Sequence, residues 1–339
     1  MEVSINNQAV QVTEGSTIWQ ACHTVGIHVP SLCYLKDVSQ NASCGVCVVE
    51  VKGAKSLLRS CITKVTEGME IMTDTPRVME ARKINIELLL ANHPQDCLFC
   101  DRNGNCELQQ LSFTLGVNSR RFERTRKERL AKDESSLSLV RDPEKCILCG
   151  RCVAVCSNVQ HVKAIDFTGR GLKTKVSTFL DEGLGFVACT NCGQCALVCP
   201  TGAIIEKSAV NEVRRALQDP EKVVLVQTAP AVRVGIGEAM GMPYGSLVTG
   251  QMVAGLRRLG FSKVFDTDFA ADLTIIEEGH ELLHRIKNGG ILPMITSCSP
   301  GWIKFIEHFY PEQLDHLSTC KSPQQMFGAV AKTYYAEKT

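Results

Sequence analysis

Apolar and polar positions alternate twice within residues 3–12 (VSINNQAVQV), on either side of Asn6-Asn7. Two short alternating runs about such a pair predict a β-hairpin within residues 1–20. Ser16–Val25 then reads as a helix, and the VCVVEV run (46–51) as a strand, so residues 1–78 form a small β-rich domain. In VMEARKINIELLLAN (78–92) the apolar residues recur at helical spacing, which predicts an amphipathic helix leading into His93-Pro94. Residues 117–137 are charged and nearly free of large apolar side chains. They read as a solvated linker over 119–137, with a docking surface for a redox partner as the alternative. Beyond Lys222 the pattern changes. VVLVQTAPAV (223–232) is the continuous run of a buried strand. Helix and strand signals then alternate through FDTDFAADL, TIIEEGHELLHRIKNG and ILPMITS, which predicts an α/β domain over 221–339. The last residues, AVAKTYYAEKT, carry no helix cap, so this region reads as cut short.

Charge adds little: Lys+Arg is 37 and Asp+Glu is 36, a net +1 that points to neither nucleic acid nor an anionic membrane. Nor is there a run of 18 apolar residues that would span a bilayer. The 18 cysteines change the picture. The first residues show neither a basic stretch nor an apolar one of the secretory kind, so metal-bound thiolates in the cytoplasm are expected rather than disulfides.

Cys146, Cys149, Cys152 and Cys156 follow C-x2-C-x2-C-x3-C; Cys189, Cys192, Cys195 and Cys199 repeat it, followed by Pro200. This internal duplication over 138–210 is the bacterial pattern for two 4Fe–4S cubanes, in which the fourth cysteine of each run reaches the other cluster. Cys146, Cys149, Cys152 and Cys199 are therefore expected at one cluster, and Cys189, Cys192, Cys195 and Cys156 at the second. Cys33, Cys44, Cys47 and Cys61 suit a 2Fe–2S site with a longer first loop than plant-type ferredoxins have. His93, Cys97, Cys100 and Cys106, in 79–118, suit a His/Cys3 cluster whose neutral imidazole replaces one thiolate. Structural zinc is the alternative at each group, most of all at the His/Cys3 set. Cys22 stands alone in a helix and reads as a small buried hydrophobe. The expected cofactors are thus one 2Fe–2S and three 4Fe–4S clusters, arranged as a relay in series.

The order of these modules, followed by an α/β domain, resembles the iron-only (FeFe) hydrogenases of multi-cluster type; the first two modules also resemble the large subunit of NADH:quinone oxidoreductase. VQTAPAVRVGIGEAMG (226–241), FDTDFAADLTIIEEGHELL (265–283), ITSCSPGWIKFIEHFYPE (295–312) and LSTCKSPQQMFGA (317–329) are similar to the hydrogenase catalytic domain. The resemblance implies a multidomain α+β and α/β chain. Its parts would be a β-grasp 2Fe–2S ferredoxin-like domain, a His/Cys3 4Fe–4S domain, a bacterial-type 2x(4Fe–4S) ferredoxin domain and part of an α/β catalytic domain. It implies reversible reduction of protons to H2 at an H-cluster, a cubane joined to a two-iron centre. Only the first of the family's ligand motifs occurs in this chain, so the cofactor is expected complete only in a longer form, and this chain alone is expected to be inactive. An electron-transfer subunit without hydrogenase activity is the second reading.

The resemblance further implies a proton route through Cys298, Glu278, Glu281 and Ser318. In the family a second cysteine ligates the cubane where this chain has Ser299, a poor donor to iron in a sulfide cluster. Cys320, or a shifted Cys298, is the expected replacement. The implied partners are ferredoxin or an NAD(P)H-oxidising flavoprotein subunit. GIGEAMG (235–241) only partly matches a dinucleotide fingerprint and is expected to be a backbone turn.

Overall fold

The computed structural model describes residues 1–119, 121–125 and 128–338. They pack as two compact units, Met1–Lys207 and a second from Ser208 onward.

The hairpin forms as expected. Strands Glu2–Ile5 and Gln8–Gln11 pair antiparallel, and Asn6 and Asn7 hold φ of 48° and 66°, the left-handed pair that a tight two-residue turn requires. Asn6 also fastens the turn to the rest of the sheet: its Nδ2 donates to Thr73 Oγ1 at 2.8 Å and its Oδ1 accepts from the Thr73 amide at 2.9 Å. Glu2–Ile5 pairs parallel with Glu70–Met72, which runs antiparallel to Val48–Val51, with Leu58–Arg59 at the edge. A mixed sheet in this order with one helix on it is the β-grasp arrangement. The helix, Ile18–Thr24, starts at a capping box in which the Thr17 hydroxyl accepts from the Gln20 amide and Gln20 Oε1 accepts from the Thr17 amide. It buries Ile18, Ala21 and Cys22 against Ile5, Val49 and Ile71. Burial pushes the Cys22 thiol up to about 11, with Arg82 opposing, so the side chain behaves as the expected hydrophobe.

The next helix spans Pro76–Ala91, with Thr75 as N-cap and the proline in the first turn, where its missing N–H costs nothing. It is less amphipathic than its spacing suggests. Arg82 and Glu87 are buried on it beside Val78, Ile86 and Ala91, while Leu88 is exposed. Glu87 takes its partner from the segment read as a linker: Arg121 Nε donates to Glu87 Oε2 at 2.7 Å. Arg124 pairs with Glu144 at 2.7 Å, the Leu130 amide donates to Glu144 Oε1 at 2.9 Å, and Asp133 bridges to Arg141 through backbone and side chain. Residues 121–125 and 128–137 are mostly exposed, as a solvated segment would be, yet these bonds tie them along the unit; positions 120, 126 and 127 of the expected linker lie outside the described residues.

The duplicated segment is framed by two short strands, Leu139–Arg141 and Ile204–Glu206, paired antiparallel. Each copy turns through the same backbone. Leu148 and Asn191 hold φ of 56° and 54°, and Gly150 and Gly193 hold 77° and 78°. The copies then enter the short helices Arg151–Ala154 and Gln194–Leu197. A hairpin, Asp166–Thr168 with Lys175–Ser177, lies between them.

In the second unit, Leu225–Thr228 pairs parallel with Lys263–Asp266 across the helices Pro230–Ala239 and Thr249–Arg258, as α/β alternation predicts. Three expectations change. The first strand is only half-buried, with Val223 exposed, because its sheet has two strands among the described residues. GIGEAMG is mostly helix and turns only at its end: Gly235 and Gly237 lie inside the helix Pro230–Ala239, where a Cβ on Gly237 would meet Val248 at 3.2 Å, and Gly241 turns the chain at a φ of 78°. ILPMITS contributes one bridge, Ile295 to Leu317, rather than a strand. The helix Thr267–Asn288 carries both of the acidic segments in one run. Phe265 and Phe327 pack 5.1 Å apart beside Ala270 and Ala331.

Candidate metal centres

The four cysteines of the first domain are all buried, and their sulfurs stand in two pairs: Cys33 and Cys44 at 3.4 Å, Cys47 and Cys61 at 3.3 Å. A tetrahedral metal with bonds of about 2.3 Å separates two thiolates by roughly 3.7 Å. Each pair therefore fits one iron, and the two pairs fit a two-iron centre better than a single four-sulfur cage. The loop closes over them through Ala42 and Gly45 at φ of 50° and 67°; Asn85 donates to the Gly45 carbonyl at 2.9 Å and occupies the space a Cβ would need. Each pair shares one hydrogen bond. It draws Cys33 down to about 5 and Cys47 down to about 7 against burial, and pushes Cys44 and Cys61 up.

His93 is oriented as a ligand would be. Its Nδ1 lies 2.6 Å from the Pro94 carbonyl, while its Nε2 is buried with no partner among the described residues. That contact selects the Nδ1–H tautomer, and burial lowers the ring's pKa and keeps it neutral, which leaves an Nε2 lone pair. Cys97, Cys100 and Cys106 are half-buried.

The duplicated cysteines are brought together crosswise. One cavity is lined by Cys146, Cys149, Cys152 and Cys199, and a second by Cys156, Cys189, Cys192 and Cys195. The left-handed residues aim amides at sulfur: Leu148 N donates to Cys146 Sγ and Asn191 N to Cys189 Sγ, both at 3.4 Å, and Ala164 N to Cys156 Sγ at 3.3 Å. A left-handed leucine costs about 1–2 kcal/mol, offset where its amide stabilises a thiolate. Burial pushes Cys149 and Cys195 up to about 12 and raises Cys152 as well. Ionising such thiols requires a compensating cation, as metal binding supplies.

The sites touch through residues that cysteine spacing does not reveal. Asn41, in the Cys33–Cys44 loop, donates to the Cys149 carbonyl at 3.1 Å, and Cys33, Cys44 and Cys149 share one apolar cluster with Leu32 and Ile86. From the His/Cys3 side, Arg102 donates to the Cys199 carbonyl at 3.4 Å, and Gly202 lies against Cys100 Sγ. Arg151 joins all three modules: Nη1 pairs with Glu107 at 2.7 Å and Nη2 donates to the Ser31 carbonyl at 3.2 Å. Both the Cys33 group and the His93 group thus abut the same duplicated site, where a relay in series would have only one of them do so.

In the second unit, Cys298 and Cys320 line one open cavity with Ser297, Ser318 and Glu307, and Ser297 Oγ donates to the Cys320 carbonyl at 2.9 Å. Ser299 instead stands at the N-cap of Pro300–Phe309. Ser318 Oγ donates to Glu281 Oε2 at 2.8 Å, and Cys320 Sγ lies 3.7 Å from the same oxygen. Arg285 holds Oε1 at 2.6 Å while binding the Ile291, Asp315 and Leu317 carbonyls. Glu278, one turn earlier on the helix, is half-buried. Burial pushes the Glu281 carboxyl up, but the bonds from Ser318, Arg285 and the Thr319 amide hold it below its ordinary 4.5. A depressed carboxylate stabilises the fold above its unfolded pKa and loses that contribution as pH falls through the folded one. Thermal melts should therefore show wild type losing stability relative to Glu281→Gln as pH drops below 4.5, with the difference constant at neutral pH.

Paired, crossed thiol cavities of this kind define a multi-centre iron–sulfur electron-transfer protein. Comparison with known proteins agrees module by module. A 2Fe-2S iron-sulfur cluster binding domain matches residues 1–76, and the NADH-ubiquinone oxidoreductase-G iron-sulfur binding region matches 82–121. A 4Fe-4S dicluster domain matches 137–203, and the C-terminal domain of the iron-only hydrogenase large subunit matches 222–339. Along nearly its whole length the chain is similar to the iron-only hydrogenases. It is 49% identical over 99% of its length to the NADP-reducing hydrogenase subunit HndD of Solidesulfovibrio fructosivorans, of which it covers 59%. It is 40% identical over 98% of its length to iron hydrogenase 1 of Clostridium pasteurianum, of which it covers 58%. A crystal structure of an NAD+-reducing nickel–iron hydrogenase in the H2-reduced state superposes on 61% of this chain and 88% of that one, with a TM-score of 0.57 and 27% identity. The chain thus spans somewhat under two thirds of the curated relatives it matches. No helix among the described residues is long and apolar enough to cross a membrane.

Proposed function

We propose that this chain is the iron–sulfur relay and part of the catalytic domain of an FeFe-hydrogenase subunit serving the reaction 2H+ + 2e− ⇌ H2. The observation that carries the reading is the crossed set of cysteine cavities joined, through Asn41 and Arg102, to the other two ligand groups. When bound, iron–sulfur clusters store and pass single electrons. The chain's own residues do the rest. Cys33, Cys44, Cys47 and Cys61 would hold one 2Fe–2S centre. His93, Cys97, Cys100 and Cys106 would hold one 4Fe–4S centre, and the two crossed sets would hold two more. Asn41 and Arg102 fix both of the first two groups against the Cys146–Cys199 site, which supports two entry points converging on one exit rather than a single file. A partner subunit or ferredoxin would supply electrons at either entry; the relatives named as NADP- and NAD+-reducing enzymes favour a nicotinamide-linked flavoprotein. Thiol-borne clusters suit a cytoplasmic location.

At the catalytic end the residues fit the family's cofactor only in part. Ser299 offers a hard hydroxyl where a thiolate is needed, and it stands at a helix N-cap position outside the cavity lining. Cys298 and Cys320 share that cavity, and one of them would supply the thiolate. Glu281 and Ser318 are placed to pass a proton between them, but the Arg285 pair favours the ionised carboxylate, so protonated Glu281 would be brief.

The test is iron and sulfide analysis of the anaerobically purified native protein, with electron paramagnetic resonance of its reduced form. Signals of one 2Fe–2S and three 4Fe–4S centres, with hydrogen evolution after H-cluster maturation, are expected. Full relay signals with no hydrogen evolved would leave an electron-transfer subunit. In a matured protein, loss of the H-cluster signature in Cys320→Ser assigns the ligand to Cys320; retention assigns it to Cys298.

A further inference from the structure

We propose that Arg82 is a fixed buried cation that raises the reduction potential of the two-iron centre held by Cys33, Cys44, Cys47 and Cys61. The proposal rests on the assignment of those four cysteines to a 2Fe–2S cluster. Arg82 is 5% exposed, on the face of Pro76–Ala91 that packs against the strand Val48–Val51. Its Nη2 donates to the Val48 carbonyl at 2.9 Å, one residue beyond Cys47, and its Nε is buried without a partner among the described residues.

The other buried arginines near the thiols are charge-paired: Arg141 with Asp133 and Arg151 with Glu107. Arg82 makes no ion pair among the described residues. Asp74, the carboxylate whose field reaches it, is exposed and screened by water. A guanidinium does not shed its charge when buried, so some other negative group must balance it. Cys47 is the first of the groups that oppose the effect of burial on Arg82, ahead of Asp74 and Cys22. With metal bound, the four thiolates make this pocket permanently anionic. Reduction of such a centre adds one electron and no proton, so the charge near Arg82 becomes more negative by one. A buried positive charge stabilises that state more than the oxidised one, in a setting where water screens little. Arginine does not titrate in the accessible range, so the offset is independent of pH.

The experiment is a redox titration of the full chain with all centres loaded, followed by the electron paramagnetic resonance signal of the 2Fe–2S centre. Arg82→Gln should lower the midpoint of that signal at every pH tested and leave the 4Fe–4S midpoints in place. Arg82→Lys, which keeps the charge, should stay near wild type. An unmoved midpoint in Arg82→Gln at full signal intensity overturns the proposal, and so does an equal fall in both variants, which would assign the effect to the Val48 hydrogen bond. If Arg82→Gln loses the centre, Arg82→Lys decides: a loaded centre with a wild-type midpoint supports the charge, and an empty or shifted one overturns it. Absence of a 2Fe–2S signal in wild type would instead defeat the cluster assignment.

Discussion

Cys199→Ser should abolish the signal of the cluster associated with Cys146, Cys149 and Cys152, and leave the one associated with Cys189, Cys192 and Cys195. Cys156→Ser should do the reverse. By chain order each cysteine belongs to the other group, so an uncrossed arrangement predicts opposite losses. The cavities argue for crossing, since each is walled by three cysteines of one run and the last of the other. The effect is large because the remaining thiols are deeply buried; Cys149 and Cys152 have pKa values raised mainly by burial. A serine there contributes a harder, less acidic donor. Reduced-state spectra of the two variants, compared with wild type, read the result directly. Loss of the same cluster in both would overturn the crossed arrangement.

The two copies should also differ in their tolerance of a methyl group. Gly150 and Gly193 hold nearly the same left-handed backbone, so alanine at either should cost about 1–2 kcal/mol of strain. At Gly193 nothing lies within 4 Å of the new Cβ. At Gly150 the Cβ would come within 2.2 Å of Asn41 Nδ2 and 3.2 Å of the Phe167 ring. Asn41 would have to leave, and with it the bond to the Cys149 carbonyl, for a further loss of about 0.5–1.5 kcal/mol. Gly150→Ala should therefore melt below Gly193→Ala. Electron transfer from the 2Fe–2S centre to its neighbour should also slow in Gly150→Ala alone. Calorimetry and rapid-mixing reduction kinetics check the two halves separately.

Much of this was legible in the sequence because cluster ligation is a local affair of spacing. The C-x2-C-x2-C-x3-C runs, the Asn6-Asn7 turn and the helix before His93 each follow from a few adjacent residues. Where a contact needs a partner far along the chain, the sequence is silent. Arg121 resembles any solvated cation until Glu87 is found buried beneath it. Arg82 sits at a helical position that periodicity would have kept apolar. Asn41 and Arg102 bind backbone carbonyls, which every residue has, so no pattern of residue types could mark their targets. GIGEAMG misled in part for a related reason: glycine marks close approach as well as turning, and Gly237 serves the former against Val248 while Gly241 serves the latter.

Arg151 carries a consequence for how such a protein could be taken apart. Its one guanidinium grips a helix of the His/Cys3 region and a loop of the β-grasp region from within the duplicated region. Removing the His/Cys3 module would take away the Glu107 partner of a charge that is 7% exposed in the intact protein, and removing the β-grasp module would take away the Ser31 carbonyl that its other arm binds. The three match separate domain families but are not separable parts here, and a transplant of one into a foreign redox chain would have to bring a substitute for the grip. Because arginine stays charged at any physiological pH, acidity does not remove the charge on Arg151 that makes the grip.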